Sequence, residues 1–195
     1  MGQNERWVMD DCTHTDQYGN TWVIEGLEWG IFLRTRFGLR NSQPTALQCL
    51  KQCVDEFPWA EYCLAHGRTS YAEKYRKVRD RFERGGFMEL NQCYRNCMKI
   101  LRQWYKERPN WVGSKRVSYV EGLAVDPTGM FLHSWIDVGG VAYDMTFPRA
   151  WMTKYFGVHF EFRWADQSME RVGKYGLFHN WERSEPYLEK YRHTS

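Results

Sequence analysis

The chain has 195 residues, a formal net charge of +3, and 43% hydrophobic and 17% aromatic residues. The length suits one domain with a sizeable core, and the aromatic share argues against a disordered chain. The weak positive charge indicates no particular partner, and no apolar run reaches the roughly 20 residues that a membrane-spanning helix needs. The N-terminus lacks the apolar region of a signal peptide, so we expect a cytoplasmic protein whose cysteines are reduced.

Periodicity predicts a mainly helical first half. Residues 21–33 are apolar, with a period that fits either a strand or a helix. Helical spacing of apolar residues covers 44–57, and a further short helix is expected over 58–67, where a proline precedes it and a glycine ends it. Residues 69–83 have the pattern of a charged amphipathic helix. Residues 1–86 are therefore predicted to form a helical cap or scaffold.

A helix with cysteines on one face is predicted next. Asn91 is a good N-cap residue, and Pro109 marks the stop. Cys93, Cys97 and Leu101 follow one another at helical spacing and share a face. Cys93 falls in the first helical turn, where backbone N–H groups and the helix dipole stabilise a negative charge. A thiol at this position is favoured as a thiolate nucleophile.

The second half of the chain is predicted to form a sheet. Strand-like composition and alternation mark residues 116–125, 131–138, 141–146 and 158–164. A short helix is expected over 147–157, and residues 166–195 form a polar tail with room for one last helix.

Helices followed by strands are typical of an α+β fold. We expect a single domain over residues 1–195, with the helical N-terminal half packed on an antiparallel sheet. Residues 87–165 would be the core that holds a functional site.

The stretch GMFLHSWIDVGGVAYDMTF predicts a tight hairpin. Gly139 and Gly140 suit a two-residue turn, because both positions tolerate positive φ. Counting outward from that turn places Trp135 opposite Asp144 and makes His133 a diagonal neighbour of Asp144. Side chains alternate between faces along a strand, so these three share one face. A diagonal separation of about 7–8 Å lets a His–Asp hydrogen bond form.

Glu121, on the strand before this hairpin, is a further acidic candidate. If residues 126–130 form the connecting loop, Glu121 faces Trp135 and joins the row that holds His133. Glu121 would then be either a solvated strand residue or a neutral acid that helps to bind substrate near the site. Turn chemistry fixes this loop less firmly than it fixes the glycine turn.

Cys93, His133 and Asp144 form a chemically coherent set. A carboxylate beside an imidazole fixes its tautomer and favours its protonated form. An imidazole held in this way can serve a thiol nucleophile as its base. The alternatives are a structural histidine bonded to Asp144 and a plain buried cysteine.

Five motifs in the chain resemble landmarks of the transglutaminase-like group within the papain-like thiol enzymes. The first four read NQCYRNC, YVEGLAV, HSW and YDMTF, where the group has a cysteine at a helix start, a strand with a Gly-rich ending, HAW and DPT. The fifth, YFG, matches a landmark of one subgroup. The chain is most similar to a small subgroup common in phage and bacteria. The resemblance covers roughly residues 90–160, within which Cys97, Ser134 and Met145 replace the usual Ala, Ala and Pro.

The resemblance implies a papain-like, transglutaminase-like core with thiol acyl chemistry. Cys93 would be the nucleophile, His133 the general base and Asp144 the orienting acid. Trp135 would wall the site, and Gln92 or a backbone N–H near the thiol would help to form an oxyanion hole. The family contains peptidases, protein cross-linkers and deamidases, so a protein or peptide amide is the expected substrate. We expect no cofactor.

These residues predict a cysteine hydrolase or acyltransferase that acts on an amide bond. One alternative is a non-catalytic binding protein on the same fold, such as a phage factor that engages a host protein in the host cytoplasm. Another is nucleic-acid binding through the basic residues 68–84. A solvated helix face with internal ion pairs is the favoured interpretation of that stretch.

A zinc site is a further interpretation that the cysteine spacing allows. Cys49, Cys53, Cys63 and His66 follow a C-x3-C-x9-C-x2-H pattern, whose middle gap is shorter than usual. Core cysteines are favoured, and we expect no metal. Cys97 could take part in a regulatory disulfide, but core packing is favoured for it as well.

Overall fold

The computed structural model describes residues 13–15, 21–23, 45–52, 54–72, 92–126, 129–144, 146 and 153–191. Short strands β1 (Thr13–Thr15) and β2 (Thr21–Val23) come first, and a 3-10 turn (Val54–Glu56) lies between the first two helices. The helices are α1 (Ala46–Gln52), α2 (Ala60–His66), α3 (Cys93–Glu107), α4 (Pro109–Val112), α5 (Phe162–Val172) and α6 (Trp181–Tyr191). The remaining strands are β3 (Arg68–Ala72), β4 (Val117–Asp126), β5 (Gly129–Val138), β6 (Val141–Tyr143) and β7 (Lys154–Phe160).

Five strands close into a barrel in the order β3–β6–β5–β4–β7, and β1 and β2 form a separate two-stranded sheet. The long hairpin β4–β5 pairs from Val117 with Val138 to Asp126 with Gly129. β7 lies antiparallel to β4 on the other side of that hairpin. β3 closes the ring, antiparallel to β7 and parallel to β6, so the sheet is not wholly antiparallel as predicted.

The two faces of the barrel strands meet different surroundings. One set of strand side chains joins a large core shared with α1, α2, α3 and α5. The other set forms a small separate cluster of Val120, Ala124, Trp135, Ala142 and Tyr155. Because side chains alternate along each strand of a closed barrel, this small cluster fills the interior.

Two glycines let β4 and β7 approach closely. Gly122 pairs with Gly157 across the two strands. A Cβ atom on Gly157 would lie 2.7 Å from the Trp135 ring and 2.6 Å from the carbonyl oxygen of Glu121. Carbon atoms pack at about 3.5–4.0 Å, so a side chain at this position would collide with both. Glycine at position 157 therefore makes room for the indole inside the barrel.

The helices around the candidate nucleophile confirm the sequence prediction in their main features. α2 is followed by Gly67 at its C-cap, and α3 runs from Cys93 to the end of its ladder just before Pro109. Gln92 holds the N-cap position, where we expected Asn91. Among the described residues, no helix is long and apolar enough to cross a membrane.

The predicted glycine turn is also confirmed. Gly139 and Gly140 have φ of 65° and 93°, which a two-residue hairpin of this type requires. Ile136 pairs with Tyr143, which is the register counted from that turn. A side-chain oxygen of Asp137 accepts the Gly140 N–H at 2.8 Å and holds the turn in place.

The helix predicted over 69–83 is wrong in its described part. Residues 68–72 form β3, and residues 73–83 lie outside the described part of the chain. Ser70 is buried at 2% exposure while Tyr71 is 73% exposed, which is the alternation of a strand. Pairing with β6 and β7 outweighs the local helical spacing, because strand formation depends mainly on tertiary partners. The basic helix considered for nucleic acid therefore does not begin at residue 68.

The short helix predicted over 147–157 is wrong where it can be checked. Residues 154–157 belong to β7, while 147–152 lie outside the described residues. Of the apolar stretch 21–33, only 21–23 are described, and they form β2.

The strand predicted over 158–164 ends at Phe160, so its second half is wrong. Glu161 is the reason, because its carboxylate accepts the N–H groups of Arg163 and Trp164 at 3.1 Å each. An acceptor at this position satisfies the free donors of a helix N-terminus, and α5 begins at Phe162.

The described part of the segment predicted as a polar tail, residues 166–191, packs against the barrel. It contains most of α5 and all of α6, and Leu177, Phe178 and Leu188 are buried in the large core. Charged residues on the exposed helix faces give the segment its polar composition, while its few apolar residues face inward.

Candidate active site

Cys93 is the first residue of α3 and is 8% exposed, so its thiol lies at the margin of the core. The Asn96 N–H donates to the Gln92 carbonyl at 2.8 Å, and this bond starts the helical ladder. The N–H groups that precede it have no acceptor within the helix. The partial positive charge of a helix N-terminus therefore lies next to the Cys93 thiol.

His133 lies on the inner face of β5, close to where β6 leaves the barrel. The β5–β6 ladder ends with Ile136 and Tyr143, and Asp144 follows immediately. His133 Nε2–H donates to Asp144 Oδ2 at 2.8 Å, and the two side chains are 4% and 0% exposed. Cys93 lies close enough to His133 to act on the charge of its imidazole. The structure thus brings together the three residues that the sequence predicted as a triad.

The contacts of the imidazole distinguish its two nitrogens. Because Nε2 serves Asp144, Nδ1 is the nitrogen that remains for the sulfur of Cys93. His133 therefore bridges a carboxylate and a thiol, which is the order that base-assisted nucleophilic catalysis needs.

Asp144 is held by further donors besides His133. The Tyr155 hydroxyl donates to Asp144 Oδ2 at 2.7 Å, and the Thr146 N–H donates to Oδ1 at 2.8 Å. Sequence reasoning missed Tyr155, because that stretch was predicted to be helical. The available signal was strand alternation, which places Tyr155 on the same face as Gly157.

The charges around His133 favour its protonated form. Burial by itself lowers the pKa of the imidazole, but the Asp144 carboxylate and Cys93 together outweigh burial and raise the pKa to about 10. An imidazolium beside a cysteine stabilises the thiolate. The Asp144 carboxylate thus favours the imidazolium form of His133 next to Cys93.

Trp135 lies two residues after His133 on β5, in the barrel interior. Its side chain is fully buried, and its ring centroid is 4.9 Å from that of Tyr155. The indole N–H donates to Ser70 Oγ at 3.3 Å. Trp135 thus supports Tyr155 from within the barrel.

Gln92 lies beside Cys93 at the start of α3. Its side chain is exposed and makes no capping hydrogen bond to the helix. The Gln92 amide therefore belongs to the residue before Cys93 and does not cap α3.

Glu121 does not join the row of His133, and the predicted register of the β4–β5 hairpin is wrong by one residue. Gly122 pairs with His133, so Glu121 projects from the opposite, outer face. The reason is the connection, because Asp126 pairs with Gly129 and leaves two residues between them rather than a longer loop.

Glu121 instead ties the α5–α6 connection to β4. It is fully buried and accepts the Tyr119 hydroxyl at 2.6 Å and the N–H groups of Leu177 and Phe178 at 2.6 and 2.8 Å. Burial raises the pKa of Glu121 to about 7 in spite of these bonds. These contacts give Glu121 a structural role on the outer face of the barrel.

Cys97 lies one helical turn after Cys93 but has different surroundings. It is 2% exposed, and the Ser134 hydroxyl donates to its sulfur at 3.6 Å. Burial raises the pKa of the Cys97 thiol well above its usual value, so this cysteine stays neutral. It provides a matched control for Cys93 on the same helix.

A second polar group, here called the Ser70 cluster, consists of the buried Ser70 and Asp137, the partly buried His159 and the exposed Arg68. The Ser70 hydroxyl donates to Asp137 Oδ2 at 2.8 Å, and the Arg68 guanidinium donates to His159 Nδ1 at 3.0 Å. His159 Nε2 then carries the proton and lies 3.5 Å from Ser70 Oγ. The cluster joins β3 to β5 and β7, and sequence reasoning did not predict it.

The Ser70 cluster keeps its histidine neutral. Burial first, and then the neighbouring Arg68 charge, lowers the pKa of His159 to about 3. The cluster therefore holds a serine, a histidine and an aspartate, but its serine donates to the aspartate and not to the histidine. That order does not activate a hydroxyl nucleophile.

The cysteines considered for zinc lie in the core where they are described. Cys49 and Cys63 are 1% and 0% exposed, while His66 is exposed with its ring 4.6 Å from that of Tyr62. Cys53 falls outside the described residues. Within the described ranges, no group of three or more His, Cys, Asp or Glu is placed to hold a metal ion.

Comparisons of the chain with family models, with curated proteins and with solved structures found no match. Any function assigned to the chain therefore depends on the side-chain geometry around Cys93, His133 and Asp144.

Proposed function

We propose that the protein is a transglutaminase-like cysteine hydrolase or acyltransferase that acts on a protein or peptide amide through Cys93, His133 and Asp144. One observation carries the proposal, namely that a buried imidazole contacts Asp144 through Nε2 and Cys93 through its remaining side. A papain-like core is part of the same proposal, since a cysteine at a helix start beside a His–Asp strand pair is what that resemblance implies.

The electrostatics of the site support a nucleophilic thiolate. Asp144 and Cys93 raise the pKa of His133 to about 10 against the opposing effect of burial, which favours the protonated imidazole. The N-terminal end of α3 adds partial positive charge on the other side of the sulfur. A protonated imidazole and a helix N-terminus are the surroundings in which proteins use cysteine as a nucleophile.

The proposed reaction begins with attack of the Cys93 thiolate on the amide carbonyl carbon. A C–S bond forms, and the carbonyl π electrons move to oxygen. His133 then gives its Nδ1 proton to the amide nitrogen, which leaves as an amine while a thioester remains on Cys93. Water or a second amine attacks the thioester, His133 takes up the released proton, and the thiolate returns.

Asp144 has an orienting role in this scheme. It accepts from His133 Nε2 and so keeps Nδ1 directed at the sulfur and at the leaving group. The Cys93 N–H, as the first of the helix, is a donor suited to the oxyanion, and Gln92 is a second candidate.

A small activated acyl donor tests the proposal without knowledge of the substrate. We expect p-nitrophenyl acetate to release p-nitrophenolate and leave an acetyl group on Cys93, which intact-mass and peptide mass spectrometry detect. Hydroxylamine should remove this group, because it cleaves thioesters. Glutamine-containing peptides with and without a labelled primary amine would then distinguish hydrolysis from transfer.

Matched cysteine variants control for non-specific acylation. Cys97→Ala should retain the adduct, since Cys97 is buried and its thiol stays neutral. Cys93→Ala should lose the adduct. Equal slow acetylation of both cysteines in the native protein would contradict the proposal and favour the non-catalytic binding alternative.

A further inference from the structure

We propose that Tyr155 is a positioning residue of the site, whose hydroxyl fixes the Asp144 carboxylate so that His133 presents Nδ1 to Cys93. The inference deepens the proposed function and rests on it in one respect, namely that Asp144 orients a catalytic base. Tyr155 lies on β7, whereas the three proposed catalytic residues come from α3, β5 and the end of β6.

The hydrogen bonds of Asp144 place Tyr155 at the carboxylate oxygen that also binds His133. Asp144 Oδ2 accepts from both His133 Nε2 at 2.8 Å and the Tyr155 hydroxyl at 2.7 Å. Oδ1 accepts the Thr146 N–H at 2.8 Å, which ties the carboxylate to its own backbone. Tyr155 is therefore a second side-chain donor to Oδ2 besides His133, and it comes from a strand that pairs with β3 and β4.

Tyr155 is itself firmly held. It is 1% exposed, packs against Trp135 with ring centroids 4.9 Å apart, and shares a hydrogen bond with the Thr153 side chain. Burial and the Asp144 charge raise the pKa of the phenol well above its usual value, so it remains a donor at every working pH. A rigid, permanently protonated phenol is suited to hold a carboxylate in one orientation.

Tyr155→Phe removes the donor and leaves the ring packing in place. The Asp144 carboxylate then turns more freely, and its average attraction for the imidazolium falls. Among the described residues, the titratable groups that act on His133 are Cys93 and Asp144, so a loosened Asp144 acts on His133 directly. We expect the midpoint of the His133 titration to fall by about one pH unit, the equivalent of one hydrogen bond to a charged group.

The ring 15N chemical shifts of His133, followed across pH in wild type and variants, measure this midpoint. Thr153→Val removes the contact that Tyr155 receives and should shift the midpoint in the same direction by less. Tyr119→Phe is the matched control, because Tyr119 is also a buried strand tyrosine that donates to a carboxylate, Glu121, at 2.6 Å. It should cost similar stability and leave the His133 midpoint unchanged.

A folded Tyr155→Phe variant with an unchanged or raised His133 midpoint would overturn the inference. So would an equal fall in Tyr119→Phe, which would indicate a general loss of packing. The shifts are read without turnover, and failure of the proposed function is seen elsewhere, as a wild-type Cys93 that takes no acetyl group. The role of Tyr155 and the chemistry of Cys93 are thus decided by separate measurements.

Discussion

His133 and His159 both project into the same barrel, and each has an aspartate beside it. His133 donates to Asp144 at 2.8 Å and contacts Cys93, whereas His159 Nδ1 lies 3.9 Å from Asp137 and 3.0 Å from the Arg68 guanidinium. The pKa of His133 is raised to about 10, against the effect of burial, by Asp144 and Cys93, while burial and then Arg68 lower that of His159 to about 3.

A neighbouring aspartate is therefore not sufficient to raise the pKa of a buried histidine. The two carboxylate oxygens of Asp137 accept hydrogen bonds from the Ser70 hydroxyl and from the Gly140 N–H of the hairpin turn. The Arg68 guanidinium donates to Nδ1 of the neighbouring His159. Asp144 has the imidazole itself as a donor, and Cys93 meets the other side of that ring. The two histidines therefore differ in their neighbours, and these neighbours help to set the charge of each imidazole.

Replacement of each histidine in turn should show the largest difference between the two sites. His133→Ala should slow iodoacetamide labelling of Cys93 at neutral pH by about 100-fold, because the thiolate loses its imidazolium partner. His159→Ala, the matched control, should leave the labelling rate unchanged in the folded fraction. Rates come from peptide mass spectrometry, and equal loss in both variants would remove the distinction between the two sites.

The free energy of unfolding at acid pH should show that His159 is neutral in the folded protein. His159 has a folded-state pKa of about 3 and an unfolded value of about 6.5, so between these limits the unfolded chain binds more protons. Its contribution to stability is present above that window and is lost as pH falls through it, with a slope of up to about 1.4 kcal/mol per pH unit. Chemical denaturation of wild type and His159→Gln between about pH 6.5 and 4 measures the slope. An identical slope in the variant would contradict a neutral His159.

The two aspartates should separate reactivity from stability. Asp144→Asn should slow Cys93 labelling by about ten-fold, since the amide orients the imidazole but no longer stabilises its charge. Asp137→Asn should leave labelling unchanged and lower the free energy of unfolding by about 1–3 kcal/mol, because buried donors lose a charged acceptor. Labelling and denaturation curves on the same preparations test both, and the reverse pattern would exchange the roles assigned to the two clusters.

Ser70→Ala should give the smallest change in reactivity. Ser70 accepts the Trp135 N–H and donates to Asp137. It therefore connects the Ser70 cluster to the indole ring that packs against Tyr155. We expect a stability loss of about 1–3 kcal/mol and a Cys93 labelling rate within about two-fold of wild type. A ten-fold slower rate would show that the two clusters act as one unit.

The sequence predicted that His133 and Asp144 lie together, because one turn fixes their relative positions. Gly139 and Gly140 set a two-residue hairpin, and the positions of His133 and Asp144 follow by counting. The helix that carries Cys93 was marked by its spacing and by Pro109. Local signals of this kind are sufficient where turn and helix ends are short and chemically distinct.

The remainder depends on long-range pairing that local patterns do not encode. β3 is a strand because it pairs with β6 and β7, whose residues follow it by about 70 or more positions in the chain. Tyr155 was missed with β7 for the same reason. Glu121 was assigned to the wrong face because a change of the β4–β5 connection by one register step reverses every side chain on the strand.

The pH dependence of Cys93 labelling in the native wild-type protein tests most directly whether Cys93 is a thiolate paired with His133. We expect iodoacetamide to modify Cys93 at about pH 6, where an ordinary thiol is almost fully protonated, while Cys97 remains unmodified as an internal control. Cys93 labelling that requires unfolding, or that rises only at the pH of a free cysteine, would contradict a thiolate–imidazolium pair with His133.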